Sequence, residues 1–263
     1  MTVPTTIADM PIIAVTSMKG GVGKTTIALG LASAAQAAGD RVLVIDLDPQ
    51  GNATMGLAVD DPAFTIGDAL ADARPGIAAH AVTTTPWGPK VDLIAADRSL
   101  EHRNAVEGAR SHERLRTSLA SLPLAYDVVI IDCPPSLGEL TRNALQAASE
   151  VVVVTEPGYF SLRGAQQAVE AAELAGRAGQ RITIVLNRVR TTVAEHRNRI
   201  AELQEHYGSR VNEVLVPERN AIAQSEGAGV SIHNWDSPAG KELSGLFDRL
   251  YASLIHRPGR SLR

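Results

Sequence analysis

Residues 18–26 read Met-Lys-Gly-Gly-Val-Gly-Lys-Thr-Thr, set between the apolar run Ile12-Ile13-Ala14-Val15 and a helical pattern that runs to about Ala38. Strand, glycine-rich loop and helix in that order form a phosphate-loop context, and a chain that contains one is constrained to an α/β arrangement around it. Gly20, Gly21 and Gly23 lack a Cβ, so the backbone can turn its N–H groups inward and let phosphate oxygens approach closely. The helix then begins with free N–H groups and a partial positive charge facing the same anion. Lys24 is expected to reach β- and γ-phosphates and the Thr25 hydroxyl to ligate Mg²⁺. The competing reading is an ordinary glycine turn, which the coincidence of loop, Lys-Thr pair and helix start disfavours. Lysine usage points the same way: of 25 basic residues only Lys19, Lys24, Lys90 and Lys241 are lysine, and two of those four sit in the loop. A chain that otherwise writes its positive charge as arginine has placed a slender ammonium here.

Two further strand ends carry carboxylates. Arg41 to Ile45 is an expected strand that runs into Asp46-Leu47-Asp48-Pro49-Gln50-Gly51-Asn52-Ala53-Thr54. Alternation places Asp46 and Asp48 on one side, beyond the carboxyl end of a buried strand, where open α/β sheets bind ligands. The bland alternative is a solvated acidic turn. Asp127 to Ile131 is an apolar β-branched run ending in Asp132 and followed by Cys133-Pro134-Pro135-Ser136-Leu137. That is the Walker B form, in which a buried strand delivers a carboxylate to the Mg²⁺ shell, here Asp132 through water. Cys133 is the chain's single cysteine. It excludes an intramolecular disulfide framework and a multi-cysteine zinc site, and without a His partner nearby it reads as a small buried residue.

The remainder alternates strand and helix. Thr65 and Asp68 have capping-box spacing for a short helix toward Ala71. Residues 73–90 read as a loop, Val91 to Ala95 as a strand, and Ser99 to Leu122 as mostly helical, with Leu115, Leu119 and Leu122 on one face. Val151 to Thr155 and Ile182 to Leu186 are expected strands around a helix from Ser161 to Ala175. Val193 to His206 reads as a helix, Val211 to Val216 as a last strand stopped by Pro217, and Glu242 to Ile255 as a closing helix with Leu243, Leu246, Phe247, Leu250 and Leu254 at helical spacing. Hydrophobic content of 44% with only 3% aromatic residues suits helices packed on a parallel sheet. The expected architecture is a single doubly wound, mostly parallel sheet with helices on both faces over residues 11–256, with a flexible tail at 1–10 and another at 257–263. Residues 1–10 show no positive region followed by an apolar core, and no stretch approaches the roughly 20 apolar residues of a membrane span, so a cytoplasmic protein is expected. The net charge of −4 supplies no overall positive field toward nucleic acid. Residues 177–220, however, hold eight Arg and five Glu, a local +3 that leaves −7 for the rest. That polarity is either a phosphate-binding face or a solvated helix surface.

One departure from the common pattern G-x-x-x-x-G-K-[ST] is informative: Met18 replaces its first glycine, and Lys19 follows as a second lysine. On this feature Lys19 to Thr26 resembles the deviant phosphate loop of the ParA/MinD family of ATPases, and the resemblance extends to Asp46–Thr54, Asp127–Leu137 and, more loosely, Pro217–Ile232. It implies a P-loop fold binding ATP and Mg²⁺ through Lys19, Gly20, Gly21, Val22, Gly23, Lys24, Thr25 and Thr26. It further implies that Lys19 reaches the partner subunit's nucleotide in an ATP-bound homodimer, that Asp48 lies near the attacking water, and that Asp46 supports the Mg²⁺ and loop shell. Asn187, Pro217 and Glu218 match positions that hold the adenine. Arg190 matches an arginine through which partition members bind DNA without reading sequence. At the other such position, in Pro217-Glu218-Arg219-Asn220-Ala221-Ile222, Ala221 replaces the arginine and Arg219 lies nearby. The implied function is a slow, partner-stimulated ATPase of chromosome or plasmid partition or cargo positioning, associated with the nucleoid and activated by a ParB-like or other adaptor. The alternatives are a MinD-like membrane-associated regulator, a positioner of a protein assembly, and a metabolic P-loop enzyme. A membrane role would need a terminal anchor with a basic face, whereas Glu242 and Asp248 oppose Lys241 and Arg249 on the last helix.

Overall fold

The structure is a computed structural model that describes residues 10–103, 110–120, 122, 126–159 and 161–255. The two expected tails, apart from Met10, lie outside the described residues. Along the chain run β1 (Ile12–Thr16), α1 (Lys24–Ala37), β2 (Val42–Asp46), α2 (Asn52–Gly56), α3 (Ile66–Asp72), β3 (Val82–Thr84), β4 (Val91–Ile94), α4 (Leu100–Arg103), α5 (Arg114–Leu119), β5 (Val128–Asp132), α6 (Glu139–Ala147), β6 (Glu150–Thr155), α7 (Ser161–Ala175), β7 (Arg181–Leu186), α8 (Ala194–Tyr207), α9 (Asn220–Gly227) and α10 (Pro238–Leu254).

The strands form one seven-stranded sheet in the order β3-β4-β2-β5-β1-β6-β7, parallel except for β3. β1, β2, β5 and β6 are apolar at nearly every position because helices cover both faces. Their side chains alternate between two cores: Ile12, Ala14, Leu43, Ile45, Val129, Ile131, Val151 and Val153 on one face, and Ile13, Val15, Val42, Val44, Val128, Ile130, Val152 and Val154 on the other. Strand order places the ends of β2, β5 and β1 side by side, with Asp46 in register with Asp132, and Asp132 with Val15 one residue before β1 ends. The crossing of the chain from β1 out to both sides makes this the switch point where open sheets accept ligands.

The expected α/β sheet is thus found, with several local corrections. Residues 73–90 are not a plain loop: a short 3₁₀ turn over Ile77–Ala81 leads into β3, which pairs antiparallel with β4. Three strand residues between turns carry too little periodic signal to be read from sequence. The region 99–122 is not one helix. Arg110 takes a left-handed φ of 62° and α5 starts afresh at Arg114, where the Leu115 N–H donates to Asn143 Oδ1 of α6 at 2.9 Å. Leu115 and Leu119 are buried and Leu122 packs against them, as their spacing predicts. Residues 211–216 touch β7 through one isolated bridge, Ile184–Val211, and single hydrogen bonds rather than as a strand, because the Val214 N–H turns to Asn212 Oδ1 and Pro217 has no N–H to extend pairing. The capping box at Thr65 and Asp68 forms. α10 begins earlier than expected, at Pro238, where the Ser237 side chain caps the Gly240 N–H.

The apolar stripe of α10 is core. Leu243, Phe247, Leu250 and Leu254 are buried against α1, and Gly30 of α1 admits the Phe247 ring where a Cβ would lie 2.1 Å from it. A membrane anchor on this helix would have to surrender that packing. No helix among the described residues is long and apolar enough to cross a membrane.

Candidate functional site

The phosphate loop leaves β1 and re-enters structure at Lys24, the first residue of α1. Gly21 and Gly23 hold φ of +80° and +88°, in the region that L side chains avoid. α1 has no side-chain cap and no acidic residue in its first turn, so no side chain among the described residues caps the N–H groups that would face an anion. Gly23 is also held by a close neighbour: a Cβ there would lie 2.1 Å from Asn187 Nδ2, which donates to Val22 O at 2.8 Å. Asn187, from the end of β7, therefore buttresses the loop from behind. Its Oδ1 is buried with no hydrogen-bond partner among the described residues.

Beside the loop lie three buried carboxylates. Thr25 Oγ1 donates to Asp132 Oδ2 at 2.6 Å, and Asp132 Oδ1 is buried without a partner among the described residues. Asp46 accepts from the Thr54 N–H and the Thr54 hydroxyl, each at 2.8 Å, and from the Asp48 N–H at 3.1 Å. Asp48 accepts from the Gln50 N–H at 3.0 Å and is 6% exposed. Lys24, equally buried at 6%, is the cation whose charge Asp132 feels. Burial raises Asp46 from 3.8 to about 6 against the pull of its Thr54 hydrogen bonds. Burial, and then the charge of Asp46, hold Asp132 well above the usual carboxylate range. A hydroxyl and a buried, unpartnered carboxylate oxygen side by side fit Mg²⁺, which takes oxygen ligands. Among the described residues no group of three or more His, Cys, Asp or Glu is arranged to hold a metal by itself. Nucleotide phosphates and water would have to complete the shell, as Mg²⁺ at triphosphate sites requires. Cys133 is fully buried and its thiol is pushed up by that burial, which makes it inert packing.

These shifts make a pH prediction. An acid whose pKa is raised on folding binds more protons folded than unfolded, so stability falls as pH climbs from 3.8 through about 6. Asp132 extends that window upward. Thermal melts of the nucleotide-free protein should decline over this range, and Mg²⁺ with ATP should flatten the decline by compensating the carboxylates. Equal slopes with and without Mg-ATP would mean that no cation enters the trio.

The other residues singled out from sequence are spread along one edge. Lys19 is 70% exposed at the mouth of the loop, with Nζ 3.5 Å from Glu156. Pro217 bridges Val189, and Glu218 pairs with Arg190 at 3.1 Å. Arg219 pairs with Glu242 at 3.2 Å. Ala221 is buried at the start of α9, so no long side chain projects from that position. Sequence reasoning missed Glu156 and Arg188. Glu156, at the end of β6, holds Lys19 and also accepts from Arg188 at 3.0 Å, while Arg188 takes a left-handed φ of 54° directly after Asn187. The available signal was a charged residue at the carboxyl end of a buried strand, the same signal that marked Asp46. Thr54 likewise went unassigned although it supplies two of the hydrogen bonds to Asp46.

A family model described as an AAA domain matches residues 10–184. The chain is 34% identical over 237 residues to the chromosome partitioning protein ParA of Caulobacter vibrioides, covering 86% of this chain and 87% of that protein. It is 32% identical over 234 residues to the sporulation initiation inhibitor protein Soj of Bacillus subtilis, covering 86% and 91%. Among solved structures, cobyrinic acid a,c-diamide synthase from Mycobacterium smegmatis with bound ATP analogue and magnesium superposes with a TM-score of 0.75 at 27% identity, covering 92% of this chain and 94% of that one.

Proposed function

The chain belongs to the ParA/Soj family of partition and positioning ATPases, and from that premise we propose that it pairs through two ATP molecules, binds DNA without reading sequence in the paired state, and hydrolyses ATP slowly until an adaptor accelerates it. The observation that carries this reading is the pair of loop lysines. Lys24 is buried, with its charge felt by Asp132 of its own site, whereas Lys19, on the same loop, is 70% exposed. An ammonium placed at the surface beside a phosphate cradle serves a second molecule's phosphates better than its own. Its contact with Glu156, at 3.5 Å, is open to solvent on the lysine side, and solvent-screened pairs are worth about 0–1 kcal/mol, so a phosphate can displace it at small cost. Lys24, Thr25 and the loop glycines bind the triphosphate, Asp132 and Thr25 would hold Mg²⁺, Asp46 fixes the Asp48 and Thr54 backbone, and Asp48 positions water. The unpartnered Oδ1 of Asn187 and the Pro217–Glu218 turn would meet the adenine.

DNA binding is supported by Arg190 and Arg219, both exposed and both tied to glutamates through surface pairs that a phosphate can replace. The buried Ala221 withholds a third contact, so a single subunit offers few phosphate ligands. Affinity falls with salt by roughly a 0.9 power per neutralised phosphate, and such a face is weak alone. Pairing two faces in the ATP dimer makes the contact bivalent and raises effective concentration without any new residue. Mobility shifts on unrelated duplexes should therefore require ATP, ignore sequence, weaken steeply with salt, and diminish in Arg190→Ala while ATP turnover is kept. If no ATP-dependent complex forms even at low salt, the matrix is a protein assembly rather than the nucleoid.

A further inference from the structure

At the amino end of β7, the opposite end of the strands from the phosphate loop, a cleft of about 470 Å³ opens between the end of α7, the turn into β7 and the segment after α8. β7 is the last strand of the sheet. Among the described residues the segment beyond it pairs with β7 from Ile184 onward, through the isolated Ile184–Val211 bridge and the hydrogen bonds that follow it. The Asn212 N–H donates to Ile184 O at 2.8 Å and the Val216 N–H to Leu186 O at 3.0 Å, so the even-numbered residues of β7 face outward. Ile182 continues that series, and no hydrogen bond to its N–H or C=O from outside the sheet occurs among the described residues. The place beside Arg181 to Thr183 that another strand would take is the cleft itself.

Three arginines surround it. Arg177 is exposed and has no ion pair among the described residues. Arg210 pairs with Glu173 at 2.6 Å, with both side chains nearly half exposed. Arg181 binds Glu150 at 2.9 Å and Ser253 O at 3.3 Å.

We propose that this cleft docks an extended, acidic segment of a partner protein, which joins β7 as an added strand. A strand edge presents donors and acceptors in alternation, and a peptide backbone answers both. A phosphodiester offers acceptors alone and would leave the Ile182 carbonyl unpaired. An incoming carboxylate meets Arg177 directly and can take Arg210 from Glu173, because exposed pairs are weak. Alternating acidic side chains would lie on one face of the docked strand, toward the arginines. The chain's own end is a poor occupant: it leaves α10 near the cleft, but residues 256–263 read His-Arg-Pro-Gly-Arg-Ser-Leu-Arg and carry the same charge. The inference does not depend on the nucleotide reading.

The test uses the full-length protein and a labelled peptide alternating Glu and Val, with a Lys-for-Glu counterpart and a random DNA duplex as controls. The acidic peptide should bind and slow amide exchange at Ile182. Arg177→Glu should weaken that binding at least about ten-fold, with melting temperature and ATP turnover unchanged. Arg177→Lys should retain most of it, since the contact needs charge at the rim. The proposal is overturned if the acidic peptide does not bind, if it binds Arg177→Glu equally well, or if Ile182 exchanges at the same rate with and without it. A duplex that binds here and is lost in Arg177→Glu would make the cleft a nucleic-acid surface and equally overturn it.

Discussion

Lys24→Ala should lose ATP binding by at least about 100-fold and all measurable turnover, the largest effect expected of any single substitution in this chain. Its ammonium is 6% exposed at the first turn of α1, where the helix N–H groups and two left-handed glycines already converge. Charge-assisted contacts to phosphate are strong in a dry site, and this one has no substitute within the loop, since Lys19 faces outward. The lysine also faces Asp132 and Cys133 from within the pocket, where its charge opposes the upward push of burial. Its loss removes from Asp132 a charge that opposes the push of burial, so that carboxyl holds its proton more firmly still. A protonated Asp132 leaves no uncompensated charge in the site, so the variant should remain folded. Lys24→Arg should not rescue binding, because a planar fork does not fit where a slender ammonium threads beside Gly23. Titration calorimetry with Mg-ATP on a variant shown folded by circular dichroism decides the matter. Binding equal to wild type would remove the phosphate-loop assignment altogether.

Much of this site could be read from sequence because its chemistry sits in contiguous segments. Gly20 to Thr25, Asp46 to Thr54 and the apolar run into Asp132 each combine a local conformation with a reactive group, and strand order does the rest by setting Asp46 opposite Asp132. What could not be read depends on which strand ends become neighbours. Glu156 meets Lys19 and Arg188 only because β6 lies between β1 and β7, an order that no local pattern encodes. Asn187 is similar: a lone Asn after a strand suggests a turn, whereas its amide sits against Gly23 because β7 ends level with the loop. The fold follows the same division. Continuous β-branched runs announced the central parallel strands, while the antiparallel edge β3 and the break at Arg110 rest on pairings with β4 and α6 made at a distance. The apolar stripe of α10 was compatible with a core or with a lipid surface, and the ring of Phe247 seated over Gly30 decides for the core.

Asp48→Ala should separate assembly from chemistry. Asp46 and Asp132 are fully buried and engaged with Thr54 and Thr25, so they belong to the scaffold of the site. Asp48 differs: among the described residues one oxygen accepts the Gln50 N–H alone, and the segment after it turns on Gly51, with a φ of +66°, into α2. Its backbone N–H, not its side chain, is what Asp46 requires. Truncation to Ala therefore keeps the backbone hydrogen bond, the loop, Lys24 and Thr25, and with them the contacts that bind ATP. On the proposed reading, the water opposite the γ-phosphate would lose a carboxylate that orients it and accepts its proton, a contribution of about 10²–10⁴-fold to rate. If ATP assembles the proposed face-to-face dimer, unhydrolysed ATP would hold it, so the variant should accumulate as a dimer with ATP while phosphate release falls by that factor. Lys19→Ala supplies the converse, with ATP bound by the monomer and no dimer formed. Size-exclusion with light scattering, run alongside a phosphate-release assay, reads both outcomes. An Asp48→Ala protein that stays monomeric in ATP while the wild type pairs would assign the carboxylate to the subunit interface, and one that turns over ATP at the wild-type rate would leave water activation to another group.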